Sequence, residues 1–169
     1  MILSRAQALW LIPVAFAIHN AEEAVMFPSC LPRVIERLPE AFQPMIADIP
    51  SANLRVALLG ATLVPFVLLV WATFRPNSVA ALWSALTVQC VVAINVLSHV
   101  TVAAMFMRGY SPGLLSAIFI NAPMSIYLLR RAARERWLPG SAARMLLPTA
   151  LLIHGPGLFG VLLLSRSGH

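Results

Sequence analysis

The stretch that decides the fold is Val79–Met107, VAALWSALTVQCVVAINVLSHVTVAAMFM, which contains no Asp, Glu, Lys or Arg. At about 1.5 Å of rise per residue, a helix of that length outreaches the ~30 Å hydrocarbon layer of a bilayer. The rest of the chain has the same character. Of 169 residues, 60% are hydrophobic and 11% charged, with a mean hydropathy of +0.84. Soluble domains carry about 45–50% apolar and about 25% charged residues. A soluble enzyme, a disordered chain and a nucleic-acid-binding domain are therefore excluded.

Outward from that run lie four more apolar stretches, at about residues 6–27, 54–74, 113–129 and 145–164. Short connections join them, at residues 75–78 and 108–112 and in a polar turn over 130–144. Arg5 and Ala15-Phe16-Ala17 have the look of a cleavable signal peptide, but the first run stays apolar through Phe27, long enough to cross. The expected architecture is all-α: one polytopic membrane domain over residues 1–169 with five transmembrane helices and no internal repeat.

Between the first two runs, Pro28, Pro32, Pro39, Pro44 and Pro50 punctuate a polar segment. Within it Leu31, Val34, Ile35 and Leu38, and again Phe42, Met45, Ile46 and Ile49, recur at i, i+3, i+4, i+7. Two short amphipathic helices lying in the headgroup plane are expected there.

The net charge of +6 comes from twelve basic residues against six acidic ones, and all twelve are Arg. Arg5, Arg75, Arg130, Arg131, Arg134, Arg136 and Arg144 fall on the side of the N-terminus, and Arg33, Arg37, Arg55, Arg108 and Arg166 on the other. Positive charge favours the cytoplasmic side, so the N-terminus is expected to be cytoplasmic. Cys30 and Cys90 lie at different depths and are not expected to pair.

Ionisable groups inside a bilayer are costly and mark functional sites. Counted from the outer ends of their runs, His19, His99, Asn121 and His154 all lie about 12–16 Å deep, with Glu22 and Glu23 one turn above His19. His19, Glu22 and Glu23 share a helix face through i+3 and i+4 spacing, as do Asn95 and His99. His154 precedes Gly155-Pro156-Gly157, which should break its helix. A catalytic zinc site takes three protein ligands and leaves one position open, often with a carboxylate as base. The expected ligands are His19, His99 and His154 with Glu23 as the carboxylate. Glu22 and Glu23 divide the ligand and base roles, and Asn95 or Asn121 orients a substrate carbonyl. Tyr110-Ser111-Pro112-Gly113 reads as a helix entry, with Ser111 as its cap.

At His19-Asn20-Ala21-Glu22-Glu23 the sequence resembles the HXXEE-motif family, small bacterial membrane proteins of unassigned function. The resemblance extends to Phe27-Pro28, to His99 and to Tyr110-Ser111-Pro112-Gly113. It implies a bacterial inner-membrane location and flags His19, Glu22, Glu23 and His99. A looser similarity is to the CAAX-processing intramembrane glutamate proteases, from which the chain departs at Phe27 and Asn95.

The leading expectation is a metal-dependent intramembrane enzyme, with one zinc ion, that hydrolyses a lipid or lipid-linked substrate. Two alternatives stand beside it. One is a metal-free acid–base isomerase or cyclase of an apolar, terpenoid-like substrate. The other is a cation or proton carrier, for which the short chain would need to form a homo-oligomer.

Overall fold

The computed structural model describes residues 3–41, 43–44, 51–157 and 160. Among them there is helix and no strand. Helix α1 is Arg5–Arg37, α2 is Ser51–Phe74, and α3 is Val79–Val102, prolonged by a π-helical turn over Ala103–Met107. Helix α4 is composite: Leu114–Ser116, a π turn over Ala117–Asn121, then Ala122–Arg134. Helix α5, Gly140–Leu152, ends in a third π turn, Ile153–Gly157.

Two of these helices, over Ala52–Phe74 and Val79–Met107, are long and apolar enough to cross a membrane. Along α2, Val56, Leu59, Leu63, Val67, Val70 and Phe74 recur every three or four residues, and all are exposed. A continuous apolar stripe turned outward on a helix marks a face that a membrane or a partner covers.

The centre of the bundle is α3, which packs against each of the other four helices. Its first half, with Leu82, Ala85 and Leu86, meets Ala8, Leu9 and Ile12 of α1, Leu69 of α2, and Leu128 and Ala132 of α4. Small residues at Ala8, Ala81 and Ala85 are fully buried and let the helices approach closely. Trp137 joins this core and is buried, with Nε1 donating to Glu135 (2.7 Å). Ser4 caps α1 in a reciprocal capping box with Gln7.

The first amphipathic segment departs from expectation. Residues 28–37 are not a separate interfacial helix but the last turns of α1, which runs through Pro28 and Pro32 to Arg37. Each proline removes one N–H from the helical ladder. Ser29 Oγ donates to the Met26 carbonyl (2.9 Å), and Arg33 Nη2 to the Met107 carbonyl (3.4 Å). At 33 residues, α1 is about 50 Å long. The second amphipathic segment, over 42–49, falls largely outside the described residues.

Candidate metal centre

Three elements converge at the far end of the bundle from the Leu82–Leu86 core. Helix α1 brings His19, Glu22 and Glu23, α3 brings Asn95 and His99, and the segment entering α4 brings Tyr110, Gly113 and Ser116. Glu23 stands between the two imidazoles. Its Oε1 is 3.3 Å from His99 Nε2 and its Oε2 3.9 Å from His19 Nε2. One ligand atom from each of the three lies within 4.8 Å of the other two. A tetrahedral zinc ion with ~2.0–2.1 Å bonds sets its ligand atoms roughly 3.3 Å apart. The Glu23–His99 distance already fits, and the Glu23–His19 distance of 3.9 Å is the longer of the two.

The orientation of His19 is fixed by its other nitrogen. His19 is fully buried, and its Nδ1 lies 3.0 Å from Ser116 Oγ. Ser116 Oγ lies 2.5 Å from Glu22 Oε2. An ionised carboxylate can only accept, so Ser116 spends its proton on Glu22 and accepts from His19 Nδ1–H. That places the lone pair of His19 on Nε2, facing Glu23. Asn95 Nδ2, 2.7 Å away, donates to the same lone pair. Two neighbours thus select one tautomer, the one able to ligate a metal through Nε2.

Glu22 has a different job from Glu23. Its Oε2 accepts from the backbone N–H (2.8 Å) and hydroxyl (2.5 Å) of Ser116, and its Oε1 from Tyr110 OH (2.9 Å) and Leu115 N–H (3.3 Å). Helix α4 has no side-chain cap of its own. A carboxylate from α1 therefore caps the N-terminus of α4, where the helix dipole favours negative charge. Burial, then the bond to Glu22, pushes the Tyr110 hydroxyl above its ordinary range and keeps it a donor. Saturated by these donors, Glu22 is an anchor and not a proton shuttle.

Gly113 closes the site. It starts α4 with φ of +80°, in the left-handed region. A Cβ there would lie 2.8 Å from Cε1 of both His19 and His99 and 3.0 Å from Glu23 Cγ. Only glycine lets the backbone pass this close to all three proposed ligands. The remaining residue of the motif's polar set, Asn20, points the other way, to Thr62 Oγ1 (2.7 Å) and the Leu58 carbonyl (3.3 Å) of α2.

A family profile described as a protein of unknown function with an HXXEE motif matches residues 10–128. The chain belongs to the HXXEE family. The match takes in α1 from Trp10 onward, α2, α3 and the site-forming part of α4. Neither a curated protein nor a solved structure matches the chain. In this HXXEE protein the motif's His19, Glu22 and Glu23, with Asn20 between them, reach three different neighbours: α3, α2 and the start of α4.

Sequence spacing places His19, Glu23, His99 and Asn95 together, and so does the structure. His154 departs from expectation. It stands beside the cluster with Nε2 on Ser98 Oγ (2.9 Å), and it is not among the converging ligand atoms. Asn121 departs further. It is fully buried, and neither its Oδ1 nor its Nδ2 has a partner. The α4 side chain that reaches His19 is Ser116. Ser111, Pro112 and Gly113 are buried, and Gly113 stands against His19, His99 and Glu23. Ser111 is no cap either, since its hydroxyl is buried without a partner. Sequence reasoning missed Ser116, Gly113 and the reach of Tyr110, and the only signal for them was the Tyr-x-Pro-Gly spacing.

Proposed function

We propose that this HXXEE protein is a five-span intramembrane enzyme that holds one divalent metal ion, zinc by its donor set, on His19, Glu23 and His99. In this reading it hydrolyses a lipid or lipid-linked substrate, and its N-terminus faces the cytoplasm of a bacterial cell. The observation that carries the reading is the convergence of two imidazoles and one carboxylate within 4.8 Å inside an apolar bundle. Two nitrogens and an oxygen suit zinc, and three protein ligands leave a position open for chemistry. What such an ion supplies is hydroxide at neutral pH, by lowering the pKa of water to about 7.

The protein groups divide the remaining work. Glu23 faces the centre with both oxygens, so one would hold the ion and the other would be free to accept a proton from water. Asn95, with its amide beside His19 Nε2, is placed to donate to a substrate carbonyl. Glu22 holds Ser116, and Ser116 holds His19, an outer shell of the kind that metal-ligating histidines use. His99 and Glu23 keep partial exposure, 13% and 21%, so the site opens at that edge.

Metal analysis of detergent-purified protein tests this. Near-stoichiometric zinc is expected in the wild type, with less than about a tenth of that in Glu23→Gln and His99→Ala. Sub-stoichiometric metal in all three would overturn the proposal. A second reading rests on two contacts: Asn95 Nδ2 already satisfies His19 Nε2, and Glu23 already pairs with His99. Those contacts suit a metal-free acid–base isomerase or cyclase, with His99 and Glu23 as the exchanging pair. Turnover of an apolar substrate that survives exhaustive chelation would favour it.

A further inference from the structure

The opposite end of the bundle carries a second feature, far from the His–Glu cluster. A cavity of about 280 Å³ opens between the start of α1, the end of α2 and the start of α3. Its depth is apolar, walled by Leu9, Leu69, Ala72 and Leu82, and its rim carries Arg5 and Arg75. No carboxylate lines it. Arg5 Nη2 donates to the Pro76 carbonyl (2.9 Å), which holds the guanidinium across the mouth. Glu135, the acid whose field reaches Arg5, is already engaged by Arg131 (2.6 Å) and by Trp137 (2.7 Å). Among the described residues, neither Arg5 nor Arg75 has a carboxylate within ion-pair distance.

Two guanidiniums on the rim of one small cavity repel each other unless an anion stands between them. The space is about nine water volumes at roughly 30 Å³ each, too small for a whole lipid. It suits a headgroup with the first part of one chain: charge at the arginines, hydrocarbon against Leu9, Leu69 and Leu82. The turn it opens on, between α2 and α3, is also where a bilayer's headgroup layer meets the ends of two spans.

We propose that this cavity is a binding site for an anionic phospholipid of the surrounding membrane. The site binds the phosphate through Arg5 and Arg75 and takes the adjoining acyl segment into the apolar pocket. The proposal rests on the membrane reading and is independent of the metal centre.

The test uses the full chain purified in a neutral detergent, with phosphatidylglycerol or phosphatidylcholine added in mixed micelles, and thermal unfolding as the readout. A concentration-dependent rise in Tm is expected with phosphatidylglycerol and not with phosphatidylcholine. Arg5→Gln and Arg75→Gln should each weaken the apparent affinity about fivefold, the loss expected for one basic contact. Arg130→Gln/Arg134→Gln, which neutralises exposed charge outside the cavity on the same side, should leave it unchanged. Native mass spectrometry should count one retained phosphatidylglycerol, lost in Arg5→Gln/Arg75→Gln. An equal response to both lipids overturns the proposal. So does a phosphatidylglycerol response that depends on Arg130 and Arg134 instead of Arg5 and Arg75, or one reproduced by inorganic phosphate alone. Metal content should be the same in all these variants, so loss of zinc from the wild type would leave this result standing.

Discussion

The two ends of the bundle are built on opposite rules. Around Ile12, Leu86 and Leu128 the interior is apolar, the helices are regular, and contact is side chain on side chain. Around His19, Asn95 and Ser116 the interior is polar, and contact runs through hydrogen bonds between helices. The backbone changes with it. All three π-helical turns among the described residues adjoin polar positions: one comes after His99, one after Ser116, and one contains His154. A π turn fits one extra residue into a helix and re-aims the side chains beyond it, and such turns gather at functional sites. Regular helix holds this molecule together, and irregular helix aims its polar groups.

That contrast can be broken most forcefully from the apolar end. Leu86→Ala removes a side chain that is 1% exposed, and it should cost about 2–5 kcal/mol of stability. Zinc content per folded chain should not move, because distant sites behave independently. A thermal melt beside metal analysis checks both halves of the statement.

At the polar end Gly113→Ala should act on stability and metal at once. Its left-handed backbone adds about 1–3 kcal/mol of strain with any other residue, and the new methyl would press on His19 and His99. Here stability and metal should fall together, with zinc affinity reduced at least about tenfold. If Gly113→Ala bound metal normally, the glycine would be serving the turn alone.

Glu22→Gln sharpens the distinction between neighbouring carboxylates. It keeps the shape but removes the charge that accepts from Ser116, so zinc affinity should drop about 10–100-fold, against near-complete loss in Glu23→Gln. The ¹⁵N shifts of His19 would report the cause directly, since the Nδ1–H tautomer should dominate in the wild type and lose its dominance in Glu22→Gln. Tyr110→Phe is the mildest. One of the bonds to Glu22 disappears, costing about 0.5–1.5 kcal/mol, with only a few-fold change in affinity.

The two ends also differ in how far the sequence alone reveals them. The bounds of α2 and α3 are legible as long, mostly apolar runs, in which the few polar residues are too sparse to interrupt the pattern. His19, Glu23, Asn95 and His99 are equally readable, because i+4 spacing and a shared depth are properties of single helices. What cannot be counted along one helix is a loop that folds inward. Ser111, Pro112 and Gly113 are buried, with Gly113 against α1 and α3, and it is Ser116 that meets His19. The end of α1 is hidden for a related reason. Pro28 and Pro32 read as stops, but each forfeits only one ladder bond, and the helix continues to Arg37.

The motif itself carries a last consequence. His19 and Glu23 look toward α3, Asn20 toward α2 and Glu22 toward α4, so successive letters of one short word serve as spokes pointing around a hub. A single residue inserted between Asn20 and Glu22 would swing every later spoke by about 100°. No compensating substitution elsewhere could restore three bearings at once, so within this chain the motif tolerates altered letters more readily than an altered count.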